Sequence, residues 1–330
     1  MFIEKLYKDV VKRAEDNFPA SYREQNIGWP SEALCSLGPF NVGECGRALF
    51  YKIIGVPQSG SMSPRVRKIC DAGLMYEDKV IQTFKNSSYY VSDQTRIQYI
   101  MPNTTNNVQL SGKLDVIIQD GIKKGIEVKT VSGWKAMGIF GTDKKLPLPT
   151  PDNLMQAMLY KHKAMNEEVD GHVIDEIYLM YINREDGCEM YFKIDINAAG
   201  YPIITPINMA GITLGVPIEL AGCSSYAQLT EYSTRATNEA SRLADIRINI
   251  NDVFGRFDSA FSHARAGMLP AKDYSIVYSK EELDRQYHCG RISKIKYNKH
   301  VKGEEVGDFK CAYCNYKNKC LEDEGIRFNG

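Results

Sequence analysis

The stretch GKLDVIIQDGIKKGIEVKTV, residues 112–131, constrains the fold more than any other part of the chain. Two short apolar alternating runs flank Asp120-Gly121, and alternation on both sides of such a dipeptide marks two adjacent strands joined by a tight turn. Three charges, Asp115, Glu127 and Lys129, stand inside those runs. Strand residues two apart share a face, so Glu127 and Lys129 project together while Ile126 and Val128 point the other way into a core. Pairing of the two strands brings Asp115 to the face of Glu127. On its own, D-x11-E-x-K fits the wet face of a sheet. In a partly buried place, two carboxylates repel and raise each other's pKa unless a cation lies between them. Oxygen-only ligands favour Mg²⁺ or Mn²⁺ as that cation.

Other elements are arranged around this pair. Residues 1–18 and 45–56 read as helices, and a longer helix begins after Pro64 within 61–86. TRIQYIMP (95–102), KLDVIIQ (113–119) and GIEVKTV (125–131) read as strands. Pro147, Pro149 and Pro151 mark a connection to NLMQAMLYKHKAMN (153–166), which has helical spacing, and residues 175–195 read as a hairpin turning at Glu185, Asp186 and Gly187. Residues 200–225 are rich in Pro, Gly and Ser and are assigned no regular structure, whereas 231–266 read as one or two helices. This order predicts an α/β fold, a mixed central β-sheet flanked by helices, with a C-terminal helical and cysteine-bearing extension. The expected divisions are an N-terminal helical segment (1–60), a core (61–200), a partly helical insertion (201–285) and a basic, cysteine-rich tail (286–330).

Lys plus Arg and Asp plus Glu number 41 each, so a polyanionic partner must be held by a local patch rather than by a net field. No window approaches the roughly 20 apolar residues of a membrane span, and the charged N-terminus lacks the apolar stretch of a signal peptide. The expectation is an intracellular protein, in the cytoplasm of a bacterium or a phage-infected host cell, without membrane association. Nine cysteines in a reducing compartment do not read as disulfides, and an odd number cannot pair completely.

CAYCNYKNKC places Cys311, Cys314 and Cys320 in a C-x2-C-x5-C run, which has metal-ligand spacing but lacks a fourth ligand. Cys289 is near in sequence, and Cys35, Cys45 and Cys70 are distant alternatives. Cys70, Cys188 and Cys223 are otherwise expected to be small buried residues. Just before the trio, Arg291, Lys294, Lys296, Lys299 and Lys302 form a basic run that suits a phosphate track, with Tyr297 and Tyr316 as candidates for stacking on unpaired bases. Two further pairs lie four apart and so share a helix face: Gly73 with Glu77, and Gln156 with Tyr160.

In order, G-x3-E (Gly73, Glu77), G-x2-D (Gly112, Asp115), E-V-K (Glu127, Val128, Lys129) and Q-x3-Y (Gln156, Tyr160) resemble the motifs of the RecB family of the PD-(D/E)XK nuclease superfamily. Many of those nucleases carry histidine where this chain has Glu77; phage-type relatives often carry glutamate. The branch that includes the AddB nuclease domain and the CRISPR-associated RecB-like exonucleases also has one cysteine before these motifs and a C-x2-C-x5-C trio after them. Cys45, followed by Arg47, Phe50 and Tyr51, and the trio Cys311, Cys314 and Cys320 match that pattern.

The resemblance implies a restriction-endonuclease-like core in which Glu77, Asp115, Glu127 and the Val128 carbonyl hold Mg²⁺ or Mn²⁺. It further implies that Lys129 orients the attacking water or stabilises the phosphorus centre, and that Gln156 and Tyr160 position the DNA strand. The four cysteines would hold a [4Fe-4S] cluster, with structural Zn²⁺ as the alternative. The implied activity is a metal-dependent DNA exonuclease acting on single strands or duplex ends in recombination, repair or replication. Its partners would be DNA, recombination or replication proteins, or further copies of the chain. The alternatives are a structure-specific endonuclease and a nucleic-acid-binding assembly protein that cuts little.

Overall fold

The computed structural model describes residues 45–58, 64–100, 102, 105, 109–141, 147–208, 218–219, 249–288, 292–301, 306–308, 311 and 314–325. The helix expected at 1–18 lies outside these residues, as do Cys35, Cys223, Cys289, Arg291 and Lys302. They divide into two compact units, one reaching Arg256 and the other joining the segment around Cys45 to the chain from Phe257 onward.

The first unit is an α/β fold. Helix α2 (Pro64–Lys85) leads into β1 (Tyr90–Ile100), β2 (Gln109–Asp120) and β3 (Ile122–Val131). Short α3 (Trp134–Phe140) and α4 (Pro151–Asn166) then cross to β4 (Glu176–Asn183), followed by β5 (Glu189–Ile196), β6 (Pro202–Asn208) and the two-residue β7 (Ile218–Glu219). The strands lie side by side in chain order. Only β3 and β4 are parallel, as the intervening helical crossover requires, and the other pairs are antiparallel. Gly121, at φ +70°, makes the tight β2–β3 turn expected from Asp120-Gly121.

Alternation assigns the two sheet faces. Val116, Ile126, Val128, Met180 and Ile182 pack with Val80 and Ile81 of α2 in one apolar cluster. The opposite parity, including Glu127, faces α4, whose residues Leu154 to Tyr160 are all buried. The pleat therefore turns Glu127 and Lys129 toward a buried helix, and the sheet face they occupy is not a wet one.

Strand β6 corrects the expectation of no regular structure at 200–225 over residues 202–208; residues 209–217 and 220–225 lie outside the described residues. Ile203, Ile204 and Ile207 supply β-branched residues, and Pro202 and Pro206 are tolerated because, among the described residues, only β7 borders the outer edge, where few ladder donors are required. Strand β1 also starts earlier than expected, at Tyr90, with a register shift between Tyr90 and Ser92.

The second unit contains α1 (Gly46–Ile53), the end of α5 (Ile250–Ala266), α6 (Lys280–His288), α7 (Lys294–Val301) and α8 (Lys317–Asp323). The division thus falls within α5, whose first turns belong to the sheet unit. Two small cores hold the second unit: one is built on Ala48, Phe50, Tyr51 and Tyr316, the other on Tyr278, Leu283, Ile292 and Val306. Among the described residues no helix is long and apolar enough to cross a membrane.

Candidate functional site

The backbone ladder between β2 and β3 runs to Val116 opposite Ile126. Asp115 is the next residue, at the register position of Glu127, and there the strands stop pairing through their backbones. Asp115 Oδ2 instead accepts the Val128 N–H at 2.7 Å. Beyond the end of the ladder this bond ties Asp115 to the E-V-K strand and fixes it beside Glu127.

Glu127 is 2% exposed. Its Oε1 accepts Lys129 Nζ at 2.6 Å and Gln156 Nε2 at 2.7 Å. Gln156 Nε2 also donates to the Tyr160 hydroxyl at 2.9 Å, and that hydroxyl donates to the Lys113 carbonyl at 2.9 Å. A continuous chain of bonds therefore runs from Lys129 through Glu127 to α4 and back to β2. It ends on two orphans, since Glu127 Oε2 and Gln156 Oε1 are buried and have no partner among the described residues. Buried polar atoms are almost always satisfied, so an unmet acceptor on a buried carboxylate marks a place where positive charge is wanted.

The electrostatics agree. Burial, reinforced by Glu127, pushes the Asp115 carboxyl well above the usual range. Burial also raises Glu127, against the opposing pull of Lys129. Desolvation would lower the Lys129 ammonium, but Glu127 and Asp115 outweigh it and hold it above the ordinary lysine value. Burial, with Glu127 next, raises the Tyr160 phenol. One ammonium thus faces two buried acids.

Glu77 reaches the group indirectly. Gln94 Nε2 donates to Glu77 Oε1 at 2.9 Å and to Asp115 Oδ1 at 3.4 Å. Gly73, one turn earlier on α2, lies close to β3: a β-carbon there would meet Thr130 Oγ1 at 3.5 Å, ordinary contact, so a glycine is not sterically required. Sequence reasoning missed Gln94, whose only mark is the polar run Ser92-Asp93-Gln94 interrupting a strand. It also missed Tyr181, paired in register with Lys129 and buried, whose hydroxyl receives Asn153 Nδ2 at 2.7 Å and the Thr150 N–H at 3.1 Å. Tyr181 so anchors the start of the helix that carries Gln156.

One expected role changes. Gln156, 3% exposed, and Tyr160 are too deeply buried to grip a nucleic-acid strand. Their hydrogen bonds position Glu127 instead.

In the second unit, the thiols of Cys45, Cys314 and Cys320 border the core of Phe50, Tyr51 and Tyr316. The Cys311 thiol is pushed up to about 12 by burial and by its neighbours Cys45, Asp308, Cys314 and Cys320. Three of the four sulfurs accept N–H donors: Cys45 from Asp273 N at 3.4 Å, Cys314 from Tyr316 N at 3.4 Å, and Cys320 from Arg47 Nη1 at 3.6 Å. Buried Arg47 is fixed by Pro270 O at 2.9 Å and Glu324 Oε1 at 3.0 Å. None of the four cysteines is in a disulfide. Among the described residues no three His, Cys, Asp or Glu side chains converge as a formed metal cage.

Cys188 is exposed at the β4–β5 turn, not buried as expected, and its backbone N–H donates to Asp186 Oδ1 there. The Tyr316 ring lies inside the core against Tyr51. Tyr297 stacks on Tyr287 at 4.4 Å with its hydroxyl on Asp284, and Lys296 Nζ donates to the Gly307 carbonyl. These three expected nucleic-acid contacts therefore serve the second unit's own packing.

No family model matches the chain, and no curated protein matches it. Among solved structures, the crystal structure of SSO0001 is similar at 16% identity and a TM-score of 0.33, over 58% of this chain and 77% of that one.

Proposed function

We propose that the first unit is a Mg²⁺- or Mn²⁺-dependent deoxyribonuclease of the RecB type that hydrolyses single strands or duplex ends. The observation that carries this reading is the buried Asp115–Glu127 pair with Lys129 on one oxygen of Glu127 and nothing on the other. Asp115, Glu127 and the Val128 carbonyl would hold the ion, with Glu77 alongside. A strand residue directs its N–H and C=O to the same edge, so the Val128 carbonyl faces the gap that its N–H bridges to Asp115. When bound, the metal acidifies a water and neutralises charge developing on the phosphate.

The chain's own residues supply the rest. Gln156, held by Tyr160, fixes the rotamer of Glu127 and leaves Oε2 as its open acceptor. Lys129, partly open to solvent, places an ammonium beside that carboxylate, where it stabilises an oxyanion or orients the attacking water. The four cysteines are assigned to a [4Fe-4S] cluster, with Zn²⁺ as the alternative. N–H donors on three of the sulfurs support this, since such bonds stabilise metal-bound thiolates.

The test is degradation of end-labelled linear single strands, with circular single strands in parallel, in Mn²⁺ or Mg²⁺. The wild type should degrade the linear substrate, and Asp115→Ala and Lys129→Ala should not. Cleavage surviving Asp115→Ala would remove the assignment; equal attack on circles would shift it to an endonuclease. Iron and sulfide in anaerobically purified brown protein would identify the cluster, and stoichiometric zinc would replace it.

A further inference from the structure

Gln94 lies within β1, yet its φ of +47° is in the left-handed region that strands avoid. Its neighbours keep the ladder, Asp93 opposite Val116 and Thr95 opposite Leu114, so the departure is confined to the residue that faces Asp115. Such a conformation is strained and persists only where the surroundings hold it. The amide makes the holding contacts, through Nε2 to Glu77 Oε1 at 2.9 Å and Asp115 Oδ1 at 3.4 Å. An amide flanked by two carboxylates must turn its NH₂ toward them, because its oxygen would meet only acceptors. The NH₂ therefore lines the gap between Glu77 and Asp115, and its hydrogens supply the positive charge that the two acids face.

Nearby, Glu127 Oε2 and Gln156 Oε1 are buried without donors, so acceptors outnumber donors across the site. A polar strand residue bent out of its ladder to donate one NH₂ to two acids is a partial answer to that excess.

We propose that Gln94 is an amide switch of the metal centre. Without metal its NH₂ bridges Glu77 and Asp115; with a divalent cation the amide turns over and Oε1 becomes a ligand. The terminal torsion of glutamine is broad and nearly two-fold, so nitrogen and oxygen exchange places without backbone movement. This rests on the metal-dependent reading above and explains how Glu77, on a separate helix, is kept at the site.

Calorimetric titration of the full chain with Mn²⁺, free of DNA, tests it. Gln94→Met should weaken Mn²⁺ about tenfold, the scale of lost metal-site support. Gln94→Glu should bind Mn²⁺ at least as tightly as the wild type and melt lower in EDTA, where a third carboxylate has no cation. Gln94→Met binding as tightly as the wild type, or more tightly, would overturn the switch. If that variant does not fold, weaker binding by Gln94→Glu would do so. Asp115→Ala separates the two ideas: unchanged Mn²⁺ binding there removes the metal centre and the switch together. Loss of binding by Asp115→Ala with none by Gln94→Met removes the switch alone.

Discussion

Replacing Lys129 by methionine removes the ammonium while keeping most of the apolar stem. That ammonium lies 2.6 Å from Glu127 Oε1, and the other oxygen of Glu127 already lacks a partner. The variant leaves a buried carboxylate with Gln156 Nε2 as its remaining side-chain donor. Breaking a buried ion pair by removing one member costs about 3–5 kcal/mol. The Lys129 side chain keeps 26% of its exposure, so solvent screens part of the interaction. A cost of about 2–3 kcal/mol follows.

For a unit of this size the expected fall in Tm is roughly 5–10 °C, read by circular dichroism in EDTA near neutral pH. Acidification should narrow the gap, because Glu127 with its raised pKa takes up a proton and no longer needs the ammonium. The lysine's own titration acts only at the alkaline end, where its contribution is lost as pH rises from the ordinary lysine pKa of about 10.4 through its elevated folded value, so the narrowing in acid comes from protonation of Glu127 alone. Adding Glu127→Gln to Lys129→Met should recover most of the loss. A Lys129→Met protein that melts with the wild type at neutral pH, or a gap that widens in acid, would refute the buried pair.

Metal-free protein should lose stability as pH rises above the ordinary carboxylate range of about 4 and through the raised folded values of Asp115 and Glu127. Asp115→Asn or saturating Mn²⁺ should flatten that slope in thermal melts. Gly125→Ala puts a β-carbon 2.5 Å from Leu114 Cδ2 and 2.8 Å from Ile177 Cδ1, two residues before Glu127. Overpacking there should cost about 1–3 kcal/mol in urea unfolding and lower the proposed cleavage with it. Arg47→Met removes charge-assisted bonds to Glu324 and Cys320, for a loss of about 1.5–3 kcal/mol. The metal or cluster proposed for the four cysteines should also pass to a chelator faster from the variant than from the wild type, measured by absorbance.

The strand pair, the turn at Gly121, helix α4 and the β4–β5 hairpin were legible because each is local: alternation, turn chemistry and helical spacing operate within a few residues. Asp115, Glu127 and Lys129 could be named as one group for the same reason, since a two-residue period and one hairpin bring them together. Strand β6 was hidden because its prolines argue against a strand until the sheet shows that they lie next to an edge. Gln94 was hidden because its meaning depends on facing Asp115 across a ladder while Glu77 approaches from a helix.

By itself the sequence determined which residues carry charge and which way strand and helix periods turn them. Only the tertiary structure decided what those charges meet. Burying Glu127 against Gln156 turned a D-x11-E-x-K spacing that a solvated sheet would also explain into a desolvated acid pair with an open acceptor. It also turned Gln156 and Tyr160 inward as supports. Desolvation is a property of the assembled packing around a side chain, and no local pattern of residues contains it.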